Sequence, residues 1–340
     1  MTKPPTTHNC VTKQTGSQDT PPFVNQLKAV FQVIPDEVLL RTLKTYYAGR
    51  QGYTYTVLWQ TYIAMVMMNI PSFAALIRAL CDNPYLAEAC GISSQDGVPS
   101  KFAYSRFMHK LQTGKNVVLV KNIMRTLNLR CYDKFPNFAK SVAIDATDLK
   151  AWSNGGKKVK SDPDAGWIIK ADTSGKKKFV YGYKMHLMVD TTYEIPLIAN
   201  ITKGNVADVN NATPLLSQAR YVSGKFQPDH IICDAGYSSA KLRRVIKRQW
   251  HAMPVIRAPK SHKKWLDQET SEWKAIFNRR VAVERVFGRM KDHRRLNNIT
   301  VRHRRKLTVH SLIPIIVTQA SALAFPDTPR RCTFQDIRYY

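Results

Sequence analysis

The chain has 340 residues, enough for two domains, and its 52 Lys and Arg against 24 Asp and Glu give a net charge of +28. A charge this large repels itself unless a polyanion neutralises it, so the composition favours a nucleic acid or an anionic membrane as partner. The most apolar run, residues 56–70, does not predict a membrane-spanning helix, because it is too short to span a bilayer and contains Gln60, Thr61 and Asn69.

The cysteines and the first residues indicate the compartment. Six cysteines are scattered without a C-x2-C pair, so we expect no zinc site and the free thiols of a reducing compartment. The first residues do not show the charged-then-apolar pattern of a signal peptide. We therefore expect a cytoplasmic protein, associated with the nucleoid and without a membrane partner.

The N-terminal part of the chain is predicted to be helical after a short tail. Residues 1–22 are rich in Thr, Pro and Gln and are predicted to be disordered. Residues 23–135 show helical periodicity and predict a small all-helical domain. The second predicted helix is apolar on nearly all sides and should be buried. The predicted helices span residues 36–48, 57–70, 72–90, 101–111 and 117–129.

One of these helices, residues 101–111, has a basic face. Its apolar residues Tyr104, Phe107 and Leu111 fall on one side, which should be buried. The basic face could dock into a groove of DNA, but a solvated basic surface explains the pattern equally well. The residues of this face are Lys101, Arg106, His109 and Lys110.

From residue 140 the pattern changes to strands and helices. Three successive strands followed by alternation predict a mixed α/β sheet with helices on both faces. Residues 150–177, rich in Gly and Lys, predict a mobile loop between the first two strands, and residues 324–340 predict a C-terminal tail. The predicted strands span residues 142–149, 178–190, 195–202, 229–234 and 252–257. The predicted helices span residues 208–219, 238–248, 271–296 and 309–323.

Two aspartates lie in the predicted sheet, where a carboxylate is costly to bury without a partner. Asp145 belongs to the apolar strand SVAIDATDL and shares one face of it with Thr147. Asp234 ends the strand in HIICDAGY and is followed by a turn at Gly236. A hydrogen-bonded strand residue and an ordinary turn aspartate remain the alternatives for these two positions.

A third acid lies in the predicted helix 271–296, among residues spaced three, four and seven apart. Phe277, Arg280, Glu284 and Lys291 should therefore lie along one stripe of the helix. The stripe is too charged for a core and too aromatic for an ordinary surface. The alternative is a solvated face on which Arg280 and Glu284 form an ion pair.

Together the three acids fit metal-dependent phosphodiester chemistry. Two divalent ions about 4 Å apart can activate a water or a 3′-hydroxyl and stabilise the departing oxygen. Mg²⁺ binds through a few carboxylates and keeps several waters, so Asp145, Asp234 and Glu284 could be its ligands. Arg280 would then hold a substrate phosphate as a fork, and Lys291 would hold it as a point charge.

The order and spacing of these motifs resemble the DDE class of insertion-sequence transposases. The resemblance is to the bacterial and archaeal group with a Y-x2-R-x3-E-x6-K signature, and it covers roughly residues 140–310. The signature matches Phe277, Arg280, Glu284 and Lys291. Phe277 replaces the signature Tyr, so the ring remains for stacking and the hydroxyl is lost.

The two aspartates also fall within segments that resemble this group. The first acid matches as Asp145 in IDAT, and the second as Asp234 in CDAGYSS. YGYKMHLMVD (181–190) and IPLIANITKGNVAD (195–208) resemble the stretch that the group carries between its first two acids.

The resemblance implies a fold and a set of site residues. The fold would be ribonuclease-H-like over residues 140–323, with the first and fourth strands as neighbours, so that Asp145 and Asp234 converge at one sheet edge. Asp145, Asp234 and Glu284 would be catalytic and would bind two Mg²⁺ ions, with Mn²⁺ as a substitute. DNA contacts are expected from Arg280, Lys291, Phe277, Tyr237 and Lys184.

The implied activity is hydrolysis of donor DNA at element ends, followed by joining of the 3′-hydroxyl to target DNA. The helical domain at 23–135 would bind the terminal inverted repeats, and a homodimer would pair two ends. A catalytically inactive DNA-binding derivative and a metal-dependent nuclease that joins no strands remain alternatives. His186, which shares a strand face with Lys184, could approach the site or be a structural histidine.

Overall fold

The computed structural model describes residues 20–45, 53–93, 97–156, 160–171, 175–222, 224–258 and 270–330. The tails predicted at 1–22 and 324–340 lie largely outside these residues. The helices of the N-terminal region are α1 (Pro22–Val33), α2 (Glu37–Thr45), α3 (Tyr55–Met67), α4 (Phe73–Asp82), α5 (Pro84–Ala89), α6 (Lys101–Leu111) and α7 (Asn116–Lys134).

Several of these helices begin where the sequence supplies a capping oxygen. The side chains of Thr54, Ser72 and Ser100 accept hydrogen bonds from backbone N–H groups in the first turns of α3, α4 and α6. The single helix predicted at 72–90 is wrong. Pro84 lacks an N–H group and starts the separate helix α5.

Burial in this region follows the predicted helix faces. Helix α3 is buried around nearly its whole circumference, as its apolar sequence predicts. In α6, Tyr104, Phe107 and Leu111 are buried, whereas Lys101 and Arg106 are exposed. Whether the exposed face of α6 contacts DNA stays a prediction.

The second half of the chain contains a six-stranded mixed sheet. The strands are β1 (Ser141–Lys150), β2 (Gly166–Ala171), β3 (Lys177–Asp190), β4 (Pro196–Lys203), β5 (His230–Cys233) and β6 (Met253–Ile256). Their order is β2-β3-β1-β5-β6, and β4 also pairs with β3. Strand β3 is antiparallel to β1, while β5 is parallel to it. The predicted neighbourhood of the first and fourth strands, here β1 and β5, is confirmed, and the fold is ribonuclease-H-like α/β.

Strand β2 lies within residues 150–177, where the sequence predicts a mobile loop. It pairs antiparallel with residues 177–182 of β3, so the prediction is wrong for this part of the segment. Ile168 faces the interior, while Trp167 and Ile169 are exposed on the other side. The inward face of β2 has a single apolar side chain. In a segment rich in Lys and Gly, one such residue does not give the alternating pattern by which a strand is predicted.

The remaining helices surround the sheet. Asp234 caps a short 3₁₀ turn at Ala235–Tyr237, and its carboxylate accepts a hydrogen bond from the N–H of Gly236. The side chain of Ser239 caps the helix that follows the turn. These helices are α8 (Val209–Val222), α9 (Ala240–Trp250), α10 (Ser271–Asn278), α11 (Val281–His293) and α12 (Arg304–Ala324).

The prediction of one continuous helix over 271–296 is wrong, because α10 and α11 are separated at Arg279 and Arg280. The N–H groups of Ala282 and Val283 donate to the carbonyls of Arg279 and Arg280, three residues back. Such bonds tighten the backbone relative to an α-helix and change the direction of the side chains. The aromatic residue of the signature therefore lies on α10, and Arg280 lies at the start of α11.

Helix α12 connects the two halves of the chain. It packs against α1, α3 and α7 on one side and against β4 on the other. Among the described residues it is the one helix long and apolar enough to cross a membrane, but 78% of its apolar stretch is buried in the fold. Residues 23–135 and 140–323 therefore share one hydrophobic core.

The turn between α3 and α4 contacts the far end of α11. Asn69 has a positive φ of 54°, and its side-chain amide donates to the carbonyl of Asp292 at 2.6 Å. The buried guanidinium of Arg294 donates to the carbonyl of Met67, the last residue of α3, at 2.9 Å. The helical region thus helps to fix α11 against the sheet.

Candidate active site

Asp145 and Asp234 lie side by side at one edge of two neighbouring strands. Ile144 of β1 is paired with Cys233 of β5, so the two aspartates are the next residues along parallel strands. Burial, with a smaller contribution from the charge of Asp234 and against a hydrogen bond from the N–H of Ala146, raises the pKa of Asp145 to about 6. Burial likewise raises the pKa of Asp234. The edge is therefore a place where negative charge is insufficiently compensated.

Arg280 joins the first acid to the third. Its guanidinium donates one hydrogen bond to Asp145 at 2.9 Å and another to Glu284 at 2.5 Å. The Asp145 side chain is 18% exposed, whereas that of Glu284 is 50% exposed. The Arg280–Glu284 ion pair expected for a solvated helix face is thus present, but Arg280 also pairs with Asp145 in the sheet.

The donor set can be compared with what a divalent metal requires. Among the residues that the structure describes, no group of three or more His, Cys, Asp or Glu side chains is arranged to hold an ion. The guanidinium of Arg280 lies between Asp145 and Glu284 and donates to both, and the metal-binding role of the three carboxylates stays a prediction. Asp145 and Asp234 nevertheless fit a hard divalent ion, since both offer oxygen ligands and both have raised pKa values that a cation would lower.

Lys291 approaches the same face of β1 from α11. Its ammonium donates a hydrogen bond of 2.6 Å to the hydroxyl of Thr147, which follows Asp145 by two residues. Burial lowers the pKa of Lys291. The structure thus brings Arg280 and Lys291 of the signature to the strand that carries the first acid.

Phe277 lies at the end of α10, behind Arg280. Its ring stacks on Trp273 with the centroids 5.1 Å apart and the planes 8° from parallel. The guanidinium carbons of Arg257 and Arg280 lie 5.8 and 5.9 Å from the ring centroid. The ring therefore supports Arg280 from within the protein, and its predicted stacking on DNA stays a prediction.

Lys184 reaches a fourth carboxylate that the sequence analysis missed. Its ammonium donates to Asp208 at 2.9 Å and to the carbonyl of Val206 at 3.1 Å. The charge of Asp208 is among the influences that raise the pKa of Asp234, so these carboxylates are close. The sequence does not identify Asp208 as a site residue, because an acid directly before a helix is usually interpreted as the N-cap of that helix.

The prediction that Tyr237 contacts DNA disagrees with its position. The side chain is fully buried, and its hydroxyl lies 3.3 Å from Nδ1 of His186. Nε2 of His186 lies 2.9 Å from the hydroxyl of Thr202, and burial lowers the pKa of this histidine to about 4. His186 is therefore a neutral structural residue, and Tyr237 is part of the packing beneath the site.

Glu194 is a further residue that the sequence analysis missed. It occupies the turn between β3 and β4 with a φ of 57°, and its side chain is 1% exposed. Its carboxylate receives Arg285 and Arg289 of α11, each at 2.6 Å. Burial opposes ionisation, but the hydrogen bonds from both arginines hold the pKa of Glu194 below its usual value. This ion pair fixes α11 on the side away from Asp145.

Comparison with known proteins gives two family matches along the chain. Residues 136–318 match the family model described as "Transposase DDE domain". Residues 17–110 match a model described as "Transposase domain". No curated protein matches the chain.

Solved structures show remote likenesses. A piggyBac transposase synaptic complex with hairpin DNA is 10% identical, with a TM-score of 0.49 over 92% of this chain and 76% of that chain. A pre-cleavage Mos1 transpososome is 12% identical, with a TM-score of 0.23 over 77% of this chain and 96% of that chain. The Mos1 strand transfer complex is 12% identical, with a TM-score of 0.24 over 80% and 97%. Similarity this low carries no argument about mechanism, so the family assignment rests on the sequence models.

Proposed function

Since a transposase DDE domain covers more than half of it, the chain belongs to the DDE transposase family, and we propose that it cuts and joins DNA. The reaction is hydrolysis of a phosphodiester at each end of a mobile element, followed by transfer of the 3′-hydroxyl to target DNA. The observation that carries this proposal is the convergence of Asp145, Asp234, Arg280 and Glu284 at one sheet edge.

We propose that Asp145 and Asp234 hold divalent ions, two Mg²⁺ or in their place Mn²⁺, with Glu284 as the third ligand. When bound, such ions lower the pKa of a water or 3′-hydroxyl and stabilise the departing oxygen. The half-buried position of Asp145 excludes part of the solvent, which strengthens every charge interaction at this edge.

Two cations would hold the DNA backbone beside these acids. The planar guanidinium of Arg280 has N–H donors beyond the two that serve Asp145 and Glu284, and these could reach a phosphate while the ring of Phe277 supports the group from behind. Lys291 adds a point charge next to Thr147, on the same face of β1. The pair is well placed to orient a phosphate, and orientation alone removes a large part of a reaction barrier.

The proposal extends to partners and location. Helices within residues 23–135 would bind the terminal inverted repeats, and two copies of the chain would pair two ends. The net charge of +28 supports binding to DNA, since counterion release drives such association. We propose a location in the cytoplasm at the nucleoid, because the reaction requires access to chromosomal DNA.

Replacing Glu284 by Gln tests the proposal directly. We expect cleavage of element ends in Mg²⁺ to fall by on the order of 1000-fold, because the neutral amide is a poor ligand. DNA binding should stay close to wild type, since Glu284 contributes no positive charge. The assay uses a duplex that carries the inverted repeats flanking the reading frame.

The matched control is Glu272→Gln, an exposed acid on α10 that lies away from Asp145. This variant should cleave like the wild type. Cleavage by Glu284→Gln at the wild-type rate would show the assignment to be wrong. A wild type that binds DNA but never cleaves it would instead identify an inactive derivative.

A nuclease that joins no strands would use the same carboxylates, so cleavage alone does not separate the two activities. Pre-cut element ends that already carry a 3′-hydroxyl do separate them. We expect the protein to join such ends to a second duplex in the presence of Mg²⁺. Continued hydrolysis without joined product would favour the nuclease.

A further inference from the structure

A basic groove lies between α9, β6 and the start of α10. It encloses about 510 Å³. One wall is formed by Arg243, Arg244, Lys247 and Arg248 of α9, which recur at helical spacing along one side. The opposite side of α9 is buried in the core. The groove is therefore a fixed feature of the fold, and its wall carries four positive charges.

Three of the wall's cations, Arg244, Lys247 and Arg248, face no carboxylate among the described residues that line the groove. Among the described residues, no Asp or Glu lines the groove. The ion pairs formed by the described residues do not include Arg244, Lys247 or Arg248. Arg243 differs from them, because its guanidinium donates to the carbonyl of Ile256 across the groove at 2.6 Å. Three like charges within two helical turns repel one another unless an anion lies between them.

A second cleft with basic residues provides a comparison. Its lining includes Lys134, Lys140 and Lys225, together with Asp133. Lys225 pairs with Asp133, and Lys140 pairs with Asp229 at 3.4 Å. Two of the three lysines of this cleft therefore have carboxylate partners, whereas Arg244, Lys247 and Arg248 of the α9 groove have none among the described ion pairs.

The floor of the groove leads to the catalytic acids. Strand β6 forms it, at the end of the sheet order, with Met253 43% exposed. Trp273 of α10 completes the floor and stacks on Phe277, over which Arg280 lies. The groove is thus connected through two rings and one guanidinium to Asp145.

We propose that the α9 groove binds the phosphate backbone of DNA where the duplex leaves the catalytic carboxylates on the β6 side. Arg244, Lys247 and Arg248 would each contact a phosphate, and the apolar floor would pack against sugars and base edges. The inference rests on the proposed function for the identity of the polyanion. It requires no catalysis, so binding alone can test it.

The test compares the salt dependence of DNA binding in three variants and the wild type. The groove variant is Arg244→Gln, Lys247→Gln and Arg248→Gln combined. The matched control, Lys134→Gln, Lys140→Gln and Lys225→Gln combined, removes the same charge from the second cleft. A third variant, Arg244→Lys with Arg248→Lys, keeps the groove charge.

The readout is the dissociation constant for a mixed-sequence duplex of roughly 30 base pairs at about 50 and about 200 mM salt, without divalent metal. Each phosphate contact contributes about 0.9 to the slope of log affinity against log salt. Over this range the wild type should lose about 40-fold more affinity than the groove variant, which has three contacts fewer. The lysine variant and the matched control should behave like the wild type.

An unchanged slope in the groove variant would overturn the proposal. An equal change in the matched control would also overturn it, because total charge rather than the groove would then determine binding. Urea unfolding of each variant shows whether the fold is intact, which we expect because the three side chains are exposed. Failure of Mg²⁺-dependent cleavage in the wild type would contradict the proposed function and leave this binding result standing.

Discussion

Arg280 is the residue on which the geometry of the candidate site converges. Its two terminal nitrogens reach Asp145 on β1 and Glu284 on α11, and its guanidinium lies over the ring of Phe277. A planar fork with fixed donors can serve two carboxylates at once. A lysine has one compact charge and lacks the two separate terminal nitrogens that reach the two carboxylates.

Replacing Arg280 by Lys should therefore weaken catalysis more than it weakens binding. We expect the rate of end cleavage to fall by on the order of 100-fold, because the orienting donors beside the phosphate are lost. Affinity for DNA should change little, since the net charge is unchanged. Single-turnover cleavage measures the first effect and fluorescence anisotropy the second. Equal loss of both would show that Arg280 acts only as a charge.

At this scale the sequence predicted which residues converge but not how they are connected. The strand parity of Asp145 and the turn after Asp234 follow from local pattern, and both agree with the structure. The bridge through Arg280 and the burial of Tyr237 depend on contacts between elements distant in the chain. Periodicity within one segment carries no information about such contacts.

Among the elements, α11 is held by polar contacts at more than one point. Glu194 receives Arg285 and Arg289 on one side, and the α3–α4 turn receives Arg294 at the far end. Glu284 is adjacent to Arg285 in the sequence. The position of the third acid therefore depends on a buried ion pair on the other side of its helix.

Replacing Glu194 by Gln should destabilise the protein and slow cleavage. We expect the free energy of unfolding to fall by about 3 kcal/mol, the lower end for a broken buried pair, because Arg285 remains half-exposed to water. Urea unfolding measures the change. The control Asp229→Asn breaks the exposed pair with Lys140 and should cost at most about 1 kcal/mol. Similar losses in both variants would contradict a special role for Glu194.

Two elements show why local pattern predicted part of the fold incorrectly. Strand β2 has one inward apolar residue, Ile168, and gains its order from pairing with β3. Pro and Gly normally signal a break between two helices, but the residues between α10 and α11 are Arg279 and Arg280. In both places tertiary packing overrides local preference.

For the whole molecule, stability should depend on a buried neutral histidine. His310 lies in α12, and Nε2 of its ring lies 3.3 Å from the carbonyl of Leu296. Burial, with a smaller contribution from the charge of Arg295, lowers the pKa of His310 to about 4. As the pH falls, His310 therefore becomes protonated in the unfolded chain, where its pKa is about 6.5, before it becomes protonated in the folded protein.

His310 should thus make the protein less stable in acid. The free energy of unfolding is lost as the pH falls from about 6.5 towards 4, because only the unfolded state gains the proton. Between pH 7 and pH 5, the wild type should lose about 2 kcal/mol more than His310→Gln. Urea unfolding at the two pH values measures the difference. The control His109→Gln, on the exposed side of α6, should keep the wild-type dependence, and a parallel loss in His310→Gln would contradict the account.

The position of α12 has a consequence for how the protein is made. This helix follows every other helix and strand described, yet it packs against α1, α3, α7 and β4. While the chain is still on the ribosome, the apolar surfaces of both halves remain uncovered until α12 has been translated. A product that ends before α12 should therefore have neither half folded, so a frameshift just before this helix should abolish any activity of either half.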